Sequence, residues 1–179
     1  TMKFKKDTRR KAIVYEKDLL KYWAKNDTFQ KSIDTRPVDN SFVFYDGPPF
    51  ATGQPHYGPM LASFIKDAIP RYKTMQGYKV ARRWGWDCHG LPVENLIEKE
   101  LDLKSKKDIV DYGLEKFNKA ASDSVLRYAD DWRKQIPRIG RWVDMENDYR
   151  TMDAGYTQSV WWVFKTLYDK GLIYEGFKS

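Results

Sequence analysis

The sequence is poor in the residues that staple or ligate small folds. Cys88 is the one cysteine in 179 residues, so no intrachain disulfide framework can form, and a reducing compartment suits the chain. Histidine occurs twice, at His56 and His89. Cys88 and His89 are neighbours with no second ligand pair, which argues against a metal centre. Long apolar runs are missing: nothing approaches the roughly 20 residues of a membrane-spanning helix. The charged first eleven residues have no apolar core, so they do not read as a secretory signal. Repeats and low-complexity tracts are absent too. These gaps lead us to expect a soluble, cytoplasmic chain about one ordinary domain in size.

Large apolar side chains are abundant. Seven Trp, twelve Tyr and nine Phe, in a chain 41% hydrophobic, are enough for a sizeable core. The net charge is +7, with a pI near 9.3. A lysine-rich solvated surface and a polyanionic partner both fit that balance.

Hydrophobic periodicity divides the chain. Ala12, Tyr15, Leu19, Tyr22 and Trp23 share one face of a helix over 12–25, and 26–40 reads as a polar connector. Phe42–Tyr45 is a short apolar run closed by Asp46-Gly47-Pro48-Pro49, the pattern of a buried strand. Leu61, Phe64, Ile65, Ala68, Ile69 and Tyr72 mark the core face of a helix closed by Gly77. Tyr78–Trp84 reads as a second strand. Strand, loop, helix, strand is a βαβ unit, which requires a parallel sheet and a right-handed crossover. Pro92 opens a further helix, with Val93, Leu96, Ile97 and Leu101 inward. A long helix is expected from about 113 to 136, ended by Pro137. After a polar stretch at 144–153, a last helix runs from about 156 to 170. Leu172-Ile173-Tyr174 starts another extended segment, so the chain is expected to be a piece of a longer polypeptide.

Ligands of open parallel sheets bind at the carboxyl ends of the strands. Two loops lie there. The first, Asp46 to Pro59, delivers His56 and Gly58 to a helix start, where free N–H groups and the helix dipole welcome phosphate. An imidazole can donate to a phosphate oxygen, and a glycine lets a sugar or base approach the backbone. The second loop, Gly85 to Glu94, places Asp87 just past a strand. Its carboxylate suits a substrate ammonium, or equally an N-cap for the next helix.

The segment Phe42-Val-Phe-Tyr-Asp-Gly-Pro-Pro-Phe-Ala-Thr-Gly-Gln-Pro-His-Tyr-Gly58 resembles the first signature of isoleucyl-tRNA synthetases. Arg71-Tyr-Lys-Thr-Met-Gln-Gly-Tyr78, Gly85-Trp-Asp-Cys-His-Gly-Leu-Pro-Val-Glu94, Gly140-Arg-Trp-Val-Asp144 and Ser159-Val-Trp-Trp-Val-Phe-Lys165 are similar to that family as well. The resemblance implies a Rossmann-type α/β domain with a parallel sheet and flanking helices. Residues 1–40 become an N-terminal helical extension and connector. Residues 41–179 become the first part of an ATP- and amino-acid-binding domain, cut before the inserted editing domain. It further implies ATP with Mg²⁺, isoleucine and the cognate tRNA as partners, together with the rest of the same polypeptide. By the same resemblance His56 is the catalytic contact to ATP phosphate, and Gly58 packs by the adenosine. Asp87 binds the substrate ammonium, and Gly47 and Pro48 line the amino-acid pocket.

The sequence departs from the family at one position. The family motif is His-x-Gly-His, and here it reads His56-Tyr57-Gly58-Pro59. Proline is welcome at a first helical position but removes an imidazole and a backbone N–H from the anion-binding end. Weakened ATP binding at Pro59 is therefore expected, and with it little complete aminoacylation by this chain alone. A degenerate nucleotide- or RNA-binding module is the alternative. One of the adjacent Trp161 and Trp162 is expected in the core rather than on a base-stacking platform. The run Lys104–Lys107 is expected as a solvated turn.

Overall fold

A computed structural model describes residues 11–50 and 52–177. Helix α1 (Ala12–Asn26) turns directly into α2 (Thr28–Asp34) through Asp27, whose left-handed backbone (φ 50°, ψ 44°) ends one helix and starts the next. Aspartate tolerates that conformation better than most residues. The expected connector at 26–40 thus contains a helix of its own. Next come α3 (Tyr57–Met75), β1 (Arg83–Trp86), α4 (Leu91–Glu100), α5 (Lys106–Tyr112), α6 (Leu114–Ser124), α7 (Ala129–Arg138), β2 (Asp144–Arg150) and α8 (Ala154–Asp169). The lysine run expected as a turn leads into α5, capped by Ser105 accepting from Asp108 N–H at 3.2 Å.

The α/β class holds: β1 and β2 pair in parallel, Arg83 opposite Asp144 and Trp86 opposite Arg150, with helices around them. Its details differ from the reading of the sequence. β1 starts five residues later than expected. The polar stretch at 144–153, to which no strand was assigned, supplies the partner strand. A polar strand is tolerated here because its side chains are bonded. Asp144 Oδ1 accepts from the N–H groups of Glu146 and Asn147, each at 3.0 Å, and Asp148 Oδ2 accepts from the Trp86 indole at 2.7 Å.

Phe42–Tyr45 is extended but forms no strand. Only its flanks make parallel bridges, Ser41 with Lys79 and Phe50 with Asp87. Nine steps along the first segment oppose eight along the second, a mismatch of one residue between the bridges. Pro48 and Pro49 also bring no N–H to a ladder. Val43 and Tyr45 face solvent.

Trp84, Trp86, Val93, Val125, Ala129, Trp132, Ile136 and Met145 make the core. The expected long helix at 113–136 is broken at residues 125–128 into α6 and α7. The break lets Phe117 of α6 and Ala129, Trp132 and Ile136 of α7 all turn inward. Arg127, in the break, pairs with Glu100 of α4 at 2.5 Å. Pro137 does not end α7 but lies one residue inside it.

Two helices reverse the expected burial. On α3 the apolar residues Leu61, Phe64, Ile65, Ile69 and Tyr72 are exposed, while Ser63, Pro70 and Thr74 are buried. α8 buries nothing. Trp161 is 71% and Trp162 69% exposed, so neither enters the core. Periodicity marks a face that needs cover, but not which neighbour covers it. On α8 only Tyr156 finds an aromatic partner among the described residues, stacked on Tyr149 with ring centres 5.9 Å apart, and α3 is drawn in by its polar side, through Lys66, Asp67 and Arg71.

Ile136 is fully buried, so Ile136→Ala lowers unfolding free energy by about 2–5 kcal/mol, read from the urea midpoint. Asp144 yields a pH dependence. Burial raises its pKa, but bonds from the Asn147 and Glu146 backbones and the Asn147 amide outweigh that and set it below the ordinary 3.8. A folded value below the unfolded one gives stabilisation that is complete above the unfolded pKa and lost as pH falls through the folded one. The stability gap between the native chain and Asp144→Asn is therefore widest at neutral pH and closes in acid, in urea titrations across pH 2–7.

Candidate nucleotide and amino-acid site

Three contacts hold the first sequence-nominated loop, one of them to the second loop. Asp87 N–H donates to the Pro49 carbonyl at 2.9 Å beside the Phe50–Asp87 bridge. The Trp132 indole donates to the Gly53 carbonyl at 2.9 Å. The third contact is Asp46, which anchors the first loop to α3 and the segment before β2. Lys66 Nζ lies 2.5 Å from Asp46 Oδ1 and 2.7 Å from the Gly47 carbonyl oxygen. Arg141 pairs with Asp46 Oδ2 and donates to Ser63 Oγ at 3.1 Å. Its guanidinium also stacks 5.0 Å from the Trp84 ring centre.

Tyr149 closes the other side, donating to the Asp46 carbonyl at 3.3 Å. Its ring crosses Gly85, where a Cβ would stand 2.2 Å from Tyr149 Cζ. Glycine at 85 is what allows the tyrosine to lie there. Burial first, then the charges of Tyr156, Asp46 and Asp87, push the Tyr149 phenol above its usual pKa, so at neutral pH it remains a donor.

His56 caps α3. Its Nδ1 accepts from the Gly58 N–H at 3.4 Å, which puts the proton of the neutral ring on Nε2 and leaves that N–H free to donate outward. A Cβ at Gly58 would come within 3.3 Å of the His56 ring, so the absent side chain gives the imidazole room to fold back. Pro59 is the third helical residue, not the first as expected. Its missing N–H belongs to the first turn, which leaves three or four donors without helical partners in any case. The helix is intact there, but the anion-binding end has lost one donor at Pro59 and commits another, Gly58, to His56.

Gly47 and Pro48 from one loop limb, and Gly58 and Pro59 from the other, line a pocket of about 270 Å³ over Trp84 and Trp132. Four of the six sequence candidates therefore meet. His56 and Asp87 do not line this pocket. His56 stands exposed at its helix end, and Asp87 is half-buried with Oδ1 accepting from the His89 N–H at 3.4 Å. Asp87 is not the cap of α4. That position is Gly90, at φ 87°. A larger cavity of about 720 Å³, lined by Asp27, Arg133, Pro137 and Asn147 among others, contains none of the six.

Cys88 and His89 do not form a nucleophilic pair. Burial pushes the Cys88 thiol pKa up, and the His89 ring meets the Thr151 hydroxyl at 3.1 Å. No group of three metal-ligating side chains occurs among the described residues. Sequence reasoning missed Lys66, Trp132 and Tyr149 as site residues. Arg141 had a signal, since it lies in the Gly140-Arg-Trp segment that resembles the synthetases.

Residues 18–179 match the family model described as tRNA synthetases class I (I, L, M and V). The chain belongs to this class I tRNA synthetase family. It is 60% identical over 162 residues to an isoleucine–tRNA ligase of Treponema denticola, and 58% identical over 163 residues to isoleucine–tRNA ligase 2 of Pseudomonas fluorescens. Those matches cover 90% and 91% of this chain but 15% and 16% of the relatives, so the chain spans about a sixth of their length. Among solved structures, the fold is similar to a leucyl-tRNA synthetase from Agrobacterium radiobacter K84, titled as a ternary complex with tRNA and LeuAMS. The TM-score is 0.56 at 24% identity, over 89% of this chain and 18% of that one. No helix of the described residues is long and apolar enough to cross a membrane.

Because Arg141 is 8% exposed and Asp46 is partly buried beside it, Arg141→Gln in this synthetase segment leaves a carboxylate short of its partner. The expected cost is about 3–5 kcal/mol. Backbone amide exchange of residues 46–50 should quicken more than that of β1.

Proposed function

We propose that the chain is the ATP- and isoleucine-binding portion of an isoleucine–tRNA ligase, acting within a longer cytoplasmic polypeptide. In this reading residues 1–40 are an N-terminal extension and 41–179 the opening part of the catalytic domain. The observation that carries it is the pocket in which Gly47 and Pro48 meet Gly58 and Pro59 beside the α3 N-terminus. Membership of the family and the identity to isoleucine–tRNA ligases support the choice of substrate.

The chemistry follows from what each group can do. An isoleucine carboxylate oxygen attacks the α-phosphorus of ATP, the bond to the bridging oxygen breaks, and pyrophosphate leaves. A ribose hydroxyl of tRNA then attacks the acyl carbon and AMP leaves. Neither step needs a covalent link to protein. The protein orients the reactants and stabilises phosphate charge. His56 Nε2–H donates to a phosphate oxygen, and the α3 dipole favours the same anion. Gly58 admits the nucleoside to the backbone. Gly47 and Pro48 shape the amino-acid side of the pocket, and the Asp87 carboxylate pairs with the substrate ammonium. Mg²⁺ accompanies ATP as part of the substrate, and its ligands are phosphate oxygens rather than a protein cluster.

Pro59 favours a second reading, a nucleotide- or RNA-binding relative without catalysis, because it takes a donor from the phosphate end. Calorimetric titration with a non-hydrolysable isoleucyl-adenylate analogue separates the two, with the valyl analogue as control. An isoleucine-activating site binds the isoleucyl analogue selectively. Pro59→His tightens it by about 5- to 150-fold, the equivalent of one charge-assisted bond. Absence of binding by both proteins rejects the isoleucine-activating site in this chain.

A further inference from the structure

Behind α3, cations outnumber anions. Arg36, Arg71, Arg82, Arg141 and Lys66 gather around Asp46 and Asp67. Asp46 Oδ1 is buried with Lys66 as its ion-pair partner but without a hydrogen bond. Asp46 pairs with Lys66 and Arg141. Asp67 takes Arg71 Nε at 2.6 Å and the Trp142 backbone N–H at 2.9 Å. Arg36 donates to the Thr74 carbonyl.

No carboxylate reaches Arg82. The residue is 6% exposed, and its Nη2 donates to Thr74 Oγ1 at 2.7 Å. Its Nε and Nη1 are buried and have no hydrogen-bond partner among the described residues, and the same is true of the Trp142 indole N–H. Three buried donors without acceptors carry their full desolvation penalty. Burial, reinforced by the charges of Arg71, Arg36 and Arg141, lowers Arg82 to about 10, against the opposing pull of Asp67. Arg82 and Trp142 line one small enclosed chamber of about 10 Å³, together with Phe44, Asp46, Lys66 and Arg141. That is room for a single particle about the size of a water molecule.

We propose that this chamber is a binding site for one monatomic anion, chloride under physiological conditions, accepting from Arg82 and the Trp142 indole. Its size excludes phosphate, sulfate and carboxylates. Charge selects an anion over water, because the surrounding cations exceed the carboxylates and Arg82 has no counter-ion of its own. The chamber adjoins the loop pocket, since Lys66 and Arg141 line both, but its ligand does not depend on the substrate assignment. The chamber also shares Asp46 and Lys66 with the anchor of the first loop, so filling it stiffens that anchor.

Two measurements on the full chain test the site: anomalous diffraction from crystals grown in bromide, and thermal unfolding in potassium chloride against potassium gluconate at equal ionic strength. Expected are one bromide peak between Arg82 and Trp142, and a Tm about 3–6 °C higher at chloride near ten times its Kd. Trp142→Phe, which keeps the ring but removes the donor, should lose most of that increment, as should Arg82→Lys. A feature at that position with no anomalous signal, together with equal Tm in both salts, would identify it as water and overturn the proposal. So would a chloride increment kept in full by both variants.

Discussion

Everything near the site depends on three indoles. Trp84 and Trp86 project from the same face of β1 and meet Trp132 of α7, with ring centres 5.3–6.0 Å apart and tilted or edge-to-face. Such a cluster buries more apolar surface per residue than any aliphatic alternative, and its geometry leaves little rotational freedom. Each ring also acts beyond the core. Trp86 bonds β2 through Asp148, Trp132 bonds the first loop through Gly53, and Trp84 carries the Arg141 guanidinium. The core and the loop geometry are therefore not separable. A disturbance of one indole reaches the strand pair, the loop or the arginine clamp.

The polar clamp completes what the indoles begin. Asp46 and its two cations fix the first loop where no backbone ladder forms, the bridged segments differing by one residue and two prolines withholding donors. Side-chain anchorage of this kind depends on position as well as on charge. It keeps the backbone around Gly47 and Pro48, which lines the pocket, out of a strand pairing. An irregular segment at that place serves ligand binding better than a strand, at the cost of relying on Arg141 and Lys66.

The local chemistry of the site was readable in the sequence, and much of the packing was not. His56 and Gly58 at a helix start, and Asp87 at a strand end, follow from turn residues and helix capping, both of which act over a few residues. The parallel α/β class was readable too, although the strands that pair, β1 with β2, are not the pair that was expected. β2 escaped notice because Asp144, Glu146, Asn147 and Asp148 are polar. Glu146 and Asn147 stay exposed, and Asp148 is satisfied by the distant Trp86 indole, a contact that no local pattern records. The apolar faces of α3 and α8 were read correctly as amphipathic stripes but wrongly as core, because a stripe does not state its partner. In α3 the decisive contacts were Ser63, Lys66, Asp67 and Arg71, residues that periodicity assigns to solvent. The break between α6 and α7 has no Gly or Pro to announce it, and it lets α6 pack on α4 and α5 while α7 turns Trp132 into the indole cluster.

The tilt of those rings has an optical consequence. Indoles this close, and far from parallel, mix their excited states, so the trio behaves as one asymmetric chromophore rather than three independent ones. Its near-ultraviolet circular dichroism then depends on the angles between the rings more than on their number. Trp132 is bonded to the loop at Gly53 and Trp84 lies under the arginine clamp, so a small rotation at either point changes the sign or size of that signal. The molecule carries a built-in spectroscopic gauge of its loop geometry, readable without any added label.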